Sequence, residues 1–277
     1  MNKIRRIEKI NRYQNMFKKN ISLKKGCFVP FLILGYPTLK KSMEIIHNTI
    51  LHGADALEIS IPFSDPIADG PIIQKANFRA LQNNITIKNY FHCIKKIREQ
   101  NTHLPIGLLI YANLILRMGI KKFYSRCLYT KIDSILIPDL PIEESNEFRK
   151  YGDKYKISSI YICPPNANTQ LIKKISKYSI DYVYLVSRTG VTGINKNKQK
   201  LNKKIISKLK KYNSSPILNG FGITHNTNIK KILKLGISGI ICGSEIISII
   251  NKYLTNNQKM FTKIKELCKN FKKKLIL

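Results

Sequence analysis

Runs of five to eight residues rich in Ile, Leu, Val and aromatic side chains recur along the chain at 27–34, 54–61, 106–111, 134–138, 157–163, 182–187, 216–220 and 239–243. Their length and composition read as buried strands. Between them the apolar positions return every three or four residues, the period of a helix with one buried face. These amphipathic stretches cover 39–51, 72–81, 87–99, 120–129, 143–151, 169–178, 201–212, 226–235 and 255–271, and another, 3–18, precedes the first strand. Strand and helix in alternation predict parallel βαβ units, and eight units in one chain favour closure over an open sheet. The predicted fold is α/β: a single (β/α)8 TIM barrel with an extra N-terminal helix, one domain over residues 1–277.

In this fold chemistry gathers at the C-terminal ends of the strands. The second strand and its loop read DALEISIPFSDPIADGP over 55–71. Alternation sets Ala56, Glu58 and Ser60 on one face and Leu57, Ile59 and Ile61 on the other. The bulky set suits the helix layer, so Glu58 faces the barrel axis. An inward Glu is either half of a structural ion pair or functional. The loop weighs toward function, because Asp69 follows in a segment stiffened by Pro62, Pro66 and Pro71. Two carboxylates in unlike surroundings suit opposed acid and base roles.

The seventh and eighth strands end in NGFGI (219–223) and CGSE (242–245). Either Gly-containing turn alone fits a plain βα connection. Together they occupy the usual phosphate position of such barrels, with a short helix opening after Gly243. The stretch SRTGVTGINKNKQK (187–200) is long and polar for a βα loop, which fits a closing lid or a plain surface loop. For Tyr111, Tyr182 and Tyr184 core packing is the default reading by position, and ligand contact the lesser one. The five histidines pair with no nucleophile and receive no chemistry.

Composition changes this picture little. The formal net charge of +33 suggests nucleic acid, but only nine of the 49 basic residues are Arg. Readers of phosphate and base edges rely on Arg. The Lys residues are dispersed, as a coding bias toward A and T would leave them, and no specific nucleic-acid partner is expected. The six cysteines form no CxxC pair and no cluster with His, so they read as buried thiols in a reducing compartment, with no metal site. The opening MNKIRRIEKINRYQ is charged and unlike a signal peptide, and the most apolar stretch, 232–250, is broken by Lys234 and Glu245. A cytoplasmic protein without a membrane span is expected.

The strings LEISIPFSDPIADGP (57–71), YAN (111–113), PDLP (138–141) with EES (143–145), CPPN (163–166), SRTGVTG (187–193), GFG (220–222) and GS (243–244) resemble the signatures of the tryptophan synthase α-subunit family, in family order. The resemblance covers about residues 28–245. It implies a lyase that cleaves indole-3-glycerol phosphate to indole and glyceraldehyde 3-phosphate by a retro-aldol route in tryptophan biosynthesis. Glu58 and Asp69 are then the catalytic pair, Glu58 serving ring C3 and the side-chain hydroxyl as acid and base, Asp69 serving the ring N–H. Phe31, Leu109, Leu136, Ile162, Tyr184 and Phe221 are implied around the indole, with Tyr184 beside Asp69. Gly193, Gly222, Gly243 and Ser244 are implied at the phosphate. No cofactor is implied in this chain; pyridoxal phosphate belongs to a partner β subunit, in an α2β2 assembly. Ile59-Ser60 stands where Leu-Gly is usual, and Cys242 where Ser is common. A stand-alone lyase, an idle activator of the β subunit and a nucleic-acid binder are the competing readings. Retained Glu58 and Asp69 weigh against the second, and dispersed Lys against the third.

Overall fold

The computed structural model describes residues 11–186 and 202–277. Its elements begin α1 (Arg12–Ser22), β1 (Cys27–Ile33), α2 (Leu39–Leu51), β2 (Leu57–Ser60), α3 (Pro71–Leu81), α4 (Ile87–Gln100) and β3 (Ile106–Leu109). They continue α5 (Ala112–Met118), α6 (Ile120–Tyr129), β4 (Ser134–Leu136), α7 (Asn146–Tyr155), β5 (Ser158–Cys163), α8 (Thr169–Tyr178) and β6 (Val183–Val186). The chain ends α9 (Lys203–Lys211), β7 (Ile217–Gly220), α10 (Ile229–Lys234), β8 (Gly239–Cys242), α11 (Ser244–Lys252) and α12 (Asn257–Lys274). The eight strands form a closed barrel in sequence order, and β1 bonds in parallel to both β2 and β8.

Register decides which side chains meet inside. Phe31 pairs with Glu58, Glu58 with Gly107, and Gly107 with Ser134, which makes one inward layer. Toward the mouth, Leu109 pairs with Leu136, and Ile162 with Tyr184. Paired residues of neighbouring strands share a face. Leu57 and Ile59, on the opposite face, are fully buried in the layer between strands and helices, as the alternation requires.

The N-terminal end of the barrel is closed by paired charge and by α1. Asp133, just before β4, takes hydrogen bonds from Arg98 at 2.6 Å and Arg12 at 2.8 Å. It also accepts from the Ile106 amide at 2.8 Å. Arg98 is only 3% exposed and donates in addition to the carbonyls of Lys131, Asn101 and Leu104. Asp55, before β2, accepts from the Phe28 amide at 2.7 Å and from the Lys272 ammonium of α12 at 2.7 Å. Tyr13 of α1 is buried, with its ring 5.4 Å from that of Tyr182 and its hydroxyl accepting from Ser134 at 3.1 Å. The six cysteines are free and buried.

Most predicted elements stand within a few residues of their expected places. The N-terminal helix differs: it starts at Arg12, where Asn11 accepts from the Gln14 amide, and runs on to Ser22 rather than ending at Lys18. The expected residues 3–10 of that helix lie outside the described residues, as do Gly193 and the 188–200 loop. The strands are shorter than predicted at several ends, although single amides beyond them, Leu34 to the Ser60 carbonyl and Ile110 to the Leu136 carbonyl, still bond to the neighbouring strand. Helix α7 opens at Asn146 instead of Glu143, after a turn in which Ser145 Oγ and Arg149 both donate to the Ile142 carbonyl. Helix α5 was not predicted. Among the described residues no helix is long and apolar enough to cross a membrane.

Candidate active site

Glu58 sits in the inward layer of β2, 1% exposed. The Tyr182 hydroxyl donates to Oε1 at 3.2 Å, and Oε2 has no hydrogen-bond partner among the described residues. A buried carboxyl with one neutral donor is costly to ionise. Burial therefore pushes Glu58 up to about 8, against the lowering effect of Tyr182, and the charge of Asp69 pushes the same way.

Asp69 arrives from the loop beyond β2, one residue before the Gly70 cap of α3. It is 8% exposed. Tyr111, at the end of β3, donates its hydroxyl to Oδ2 at 3.0 Å. Asn77 on α3 donates to the same oxygen at 3.4 Å and accepts from the Phe63 amide at 3.4 Å, so one side chain ties the loop to its carboxylate. Phe63 stacks on Tyr111 with ring centres 5.0 Å apart. Burial pushes Asp69 up to about 6, and the two donors hold it below Glu58. At neutral pH the pair is therefore mostly one acid and one carboxylate.

A cavity at the mouth is lined by Phe31, Asp69, Leu109, Tyr184, Phe221, Gly222, Gly243 and Ser244, all named from sequence, together with Ile73, Ile223 and Ile241. Leu136 and Ile162 stand beside Leu109 and Tyr184 in the inward registers without reaching the cavity. Glu58 lies deeper and is also not on the lining. Tyr184 shares the cavity with Asp69, while the hydroxyl bonded to Asp69 is that of Tyr111. The Tyr184 ring meets Phe221 edge-on at 5.9 Å.

Two glycines are forced by close approach. A Cβ on Gly220 would lie 2.2 Å from the Tyr184 hydroxyl, and one on Gly243 would lie 2.6 Å from the Phe31 ring. Phe221 and Gly222 both take positive φ, 62° and 69°, which turns the chain sharply after β7. Helix α11 opens after Gly243, which has no side chain to cap it. Such an end suits an anion.

A buried acid beneath an aromatic cavity and a carboxylate on its wall, with a glycine turn and the start of α11 facing it, fit a phosphorylated aromatic substrate. A family model described as tryptophan synthase alpha chain matches residues 17–276. The chain belongs to that family. The tryptophan synthase alpha chain of Buchnera aphidicola subsp. Baizongia pistaciae is 51% identical over 267 residues, 96% of this chain and 99% of that relative. The solved tryptophan synthase subunit alpha of Legionella pneumophila superposes with a TM-score of 0.84 at 25% identity, covering 96% of this chain and 99% of that one. A chain of the tryptophan synthase complex from Pyrococcus furiosus gives 0.79 at 28% identity, covering 90% and 98%.

Within this tryptophan synthase alpha chain fold, sequence reasoning missed three polar neighbours of the carboxylates. Tyr182 and Tyr111 were weighed as core or ligand contact, not as donors to Glu58 and Asp69. Asn77 was not considered, although a signal existed: it interrupts the buried stripe Ile73, Ala76, Ala80 of α3. A polar residue on such a stripe needs a buried partner.

Proposed function

We propose that this one-domain chain cleaves indole-3-glycerol phosphate to indole and glyceraldehyde 3-phosphate at the mouth of its barrel. The observation that carries the reading is the unequal proton affinity of two neighbouring buried carboxyls, about 8 for Glu58 and about 6 for Asp69. In the neutral range Glu58 holds a proton to give, and Asp69 holds a charge to offer.

The retro-aldol step follows from those states. The Glu58 carboxyl protonates ring C3, and positive charge spreads to the ring nitrogen, whose N–H donates to the Asp69 carboxylate. Glu58, now a carboxylate, takes the proton from the hydroxyl on the carbon attached to C3. The bond from C3 to that carbon breaks, the carbon becomes the aldehyde, and its electron pair restores the indole. Glu58 ends protonated, so the protons balance. The ring is the electron sink, and the step uses no cofactor in this chain. Phe31, Leu109, Tyr184 and Phe221 enclose the indole in this reading, with Leu136 and Ile162 beside them in the inward registers. The phosphate rests on Gly222, Gly243 and Ser244, with Gly193 joining from outside the described residues.

The partner in this reading is a pyridoxal-phosphate β subunit in an α2β2 assembly in the cytoplasm, which consumes the indole. The Pyrococcus furiosus relative was solved as a tryptophan synthase complex, which supports a partner of that kind. The test is indole release from indole-3-glycerol phosphate with and without a β subunit. Release that rises on adding the β subunit supports the proposal. Full turnover alone, without response to the partner, would assign a stand-alone lyase instead.

A further inference from the structure

The phosphate cradle of the proposed function joins two segments far apart in sequence: the turn after β7 and the first turn of α11. Near the cradle, Cys242 Sγ donates to the Ile223 carbonyl at 3.6 Å, and a second side-chain contact lies further out. His225 Nδ1 lies 2.5 Å from Glu245 Oε1. His225 is three residues beyond Gly222, and Glu245 follows Ser244 directly. The side chains are 56% and 20% exposed. A carboxylate only accepts, so the shared proton sits on Nδ1, where the neutral Nδ1–H tautomer and the imidazolium both supply it. The turn itself is braced: Thr227 Oγ1 accepts from the Thr224 amide at 2.9 Å, and the Lys274 ammonium of α12 donates to the His225 carbonyl.

Glu245 is the acidic residue in the first turn of α11. A carboxylate there is attracted by the positive end of the helix, the same end a substrate phosphate would use. Left free, it would sit beside the phosphate as a second anion and compete for the same N–H groups. Engaged sideways by His225, it leaves them open. The same bond fixes the spacing between the two halves of the cradle.

We propose that His225 and Glu245 form a positioning latch that sets the affinity of the cradle for phosphate, without touching the reacting atoms. The inference rests on the phosphate reading of Gly222, Gly243 and Ser244. Truncating His225 frees the carboxylate and loosens the turn, whereas truncating Glu245 only loosens the turn. His225→Asn places an amide nitrogen where Nδ1 was and keeps the bond.

The test uses the full chain with His225→Ala, His225→Asn, Glu245→Ala and the double alanine variant. Binding of inorganic phosphate is read by calorimetry at about 0.3 M salt, which screens diffuse lysine charge. Indole release gives kcat and KM in parallel. His225→Ala is expected to weaken phosphate binding and raise KM roughly five- to tenfold, with kcat within about twofold, the scale of one net hydrogen bond at a partly exposed site. His225→Asn should stay near the parent. Glu245→Ala should be milder than His225→Ala, and the double variant should match Glu245→Ala. Phosphate binding unchanged in His225→Ala overturns the latch and leaves the proposed reaction standing, and so do single effects that multiply in the double variant. A parent that binds phosphate with the expected variant pattern but releases no indole supports the latch and sinks the reaction. A parent that binds no phosphate overturns the latch and the phosphate reading together.

Discussion

At the floor of the barrel Asp133 meets two guanidiniums and a backbone amide, while toward the mouth Glu58 and Asp69 meet, among the described residues, hydroxyls and one side-chain amide. Both regions bury carboxyl groups among similar strands. The floor supplies full opposite charge, and Asp133 ties the start of β3 and β4 to α1 and α4 through those bonds. The mouth withholds that charge, so its two carboxyls keep protons into the neutral range, Glu58 more than Asp69. Burial is shared by the two regions; the partners decide whether a buried acid holds the fold or does chemistry.

The largest effect should come from removing the proton traffic. Glu58→Gln and Asp69→Asn should each lower kcat/KM by roughly a thousandfold, the middle of the usual range of about 100- to 10,000-fold for a positioned acid–base group. Phosphate binding and the fold should persist. Activity within a few-fold of the parent in either variant would falsify the two-carboxylate mechanism.

At the floor the corresponding change should cost stability instead. Asp133→Ala leaves Arg98 buried without its counter-charge, and about 3–5 kcal/mol should be lost in denaturant unfolding. A loss below about 1 kcal/mol would mean that the floor lock is not holding the barrel.

The same Glu58→Gln variant should be more stable than the parent, in a pH-dependent way. The folded value of about 8 lies above the ordinary carboxyl value of 4.5. Stability of the parent is therefore intact at acid pH and is eroded as pH rises from about 4.5 to about 8. The penalty reaches about 3 kcal/mol at pH 7, and the variant escapes it. Thermal melts at pH 5 and pH 8 should show the gain widening toward pH 8; a gain independent of pH would remove the raised proton affinity of Glu58.

The smallest effects sit on the pH profile of kcat/KM. Ionised Asp69 sets an acid limb near pH 6, and protonated Glu58 sets an alkaline limb near pH 8. Tyr111→Phe removes a donor that lowers Asp69, so the acid limb should move upward. The rate near pH 6 should fall roughly threefold to tenfold, with little change near pH 7.5. If the alkaline limb moved instead, the roles of the two carboxyls would be exchanged.

Much of this was legible before any coordinates. Strand parity placed Glu58 inward, and the glycine turns pointed to the cradle at Gly222 and Gly243, because both follow from backbone periodicity alone. The donors that set the two proton affinities were not legible. Tyr111 and Tyr182 look like any core tyrosine until the loop carrying Asp69 and the register of β6 bring their hydroxyls to a carboxyl. Helix α5 was hidden for a related reason: no side chain of its own caps it, and the Ala112 amide instead donates to Asp139, 27 residues away, at 3.0 Å. The first helix runs past its expected end at Lys18 to Ser22, where the Leu23 amide still donates to the Lys19 carbonyl. Local chemistry writes the elements, and contacts across the barrel write the titration.

The buried cysteines turn the protein into its own timer. Burial raises the proton affinity of Cys163 and Cys268 to about 12 and lifts Cys27, Cys93, Cys127 and Cys242 as well. A thiol held so far from thiolate, and away from solvent, reacts only when its surroundings open. Cys27 and Cys242 lie on β1 and β8, and Cys163 ends β5, so their alkylation would report the parting of the barrel wall, while Cys268 on α12 would report release of the C-terminal helix. Counting labelled thiols against time would thus rank which parts of the closed sheet breathe together and which come away first.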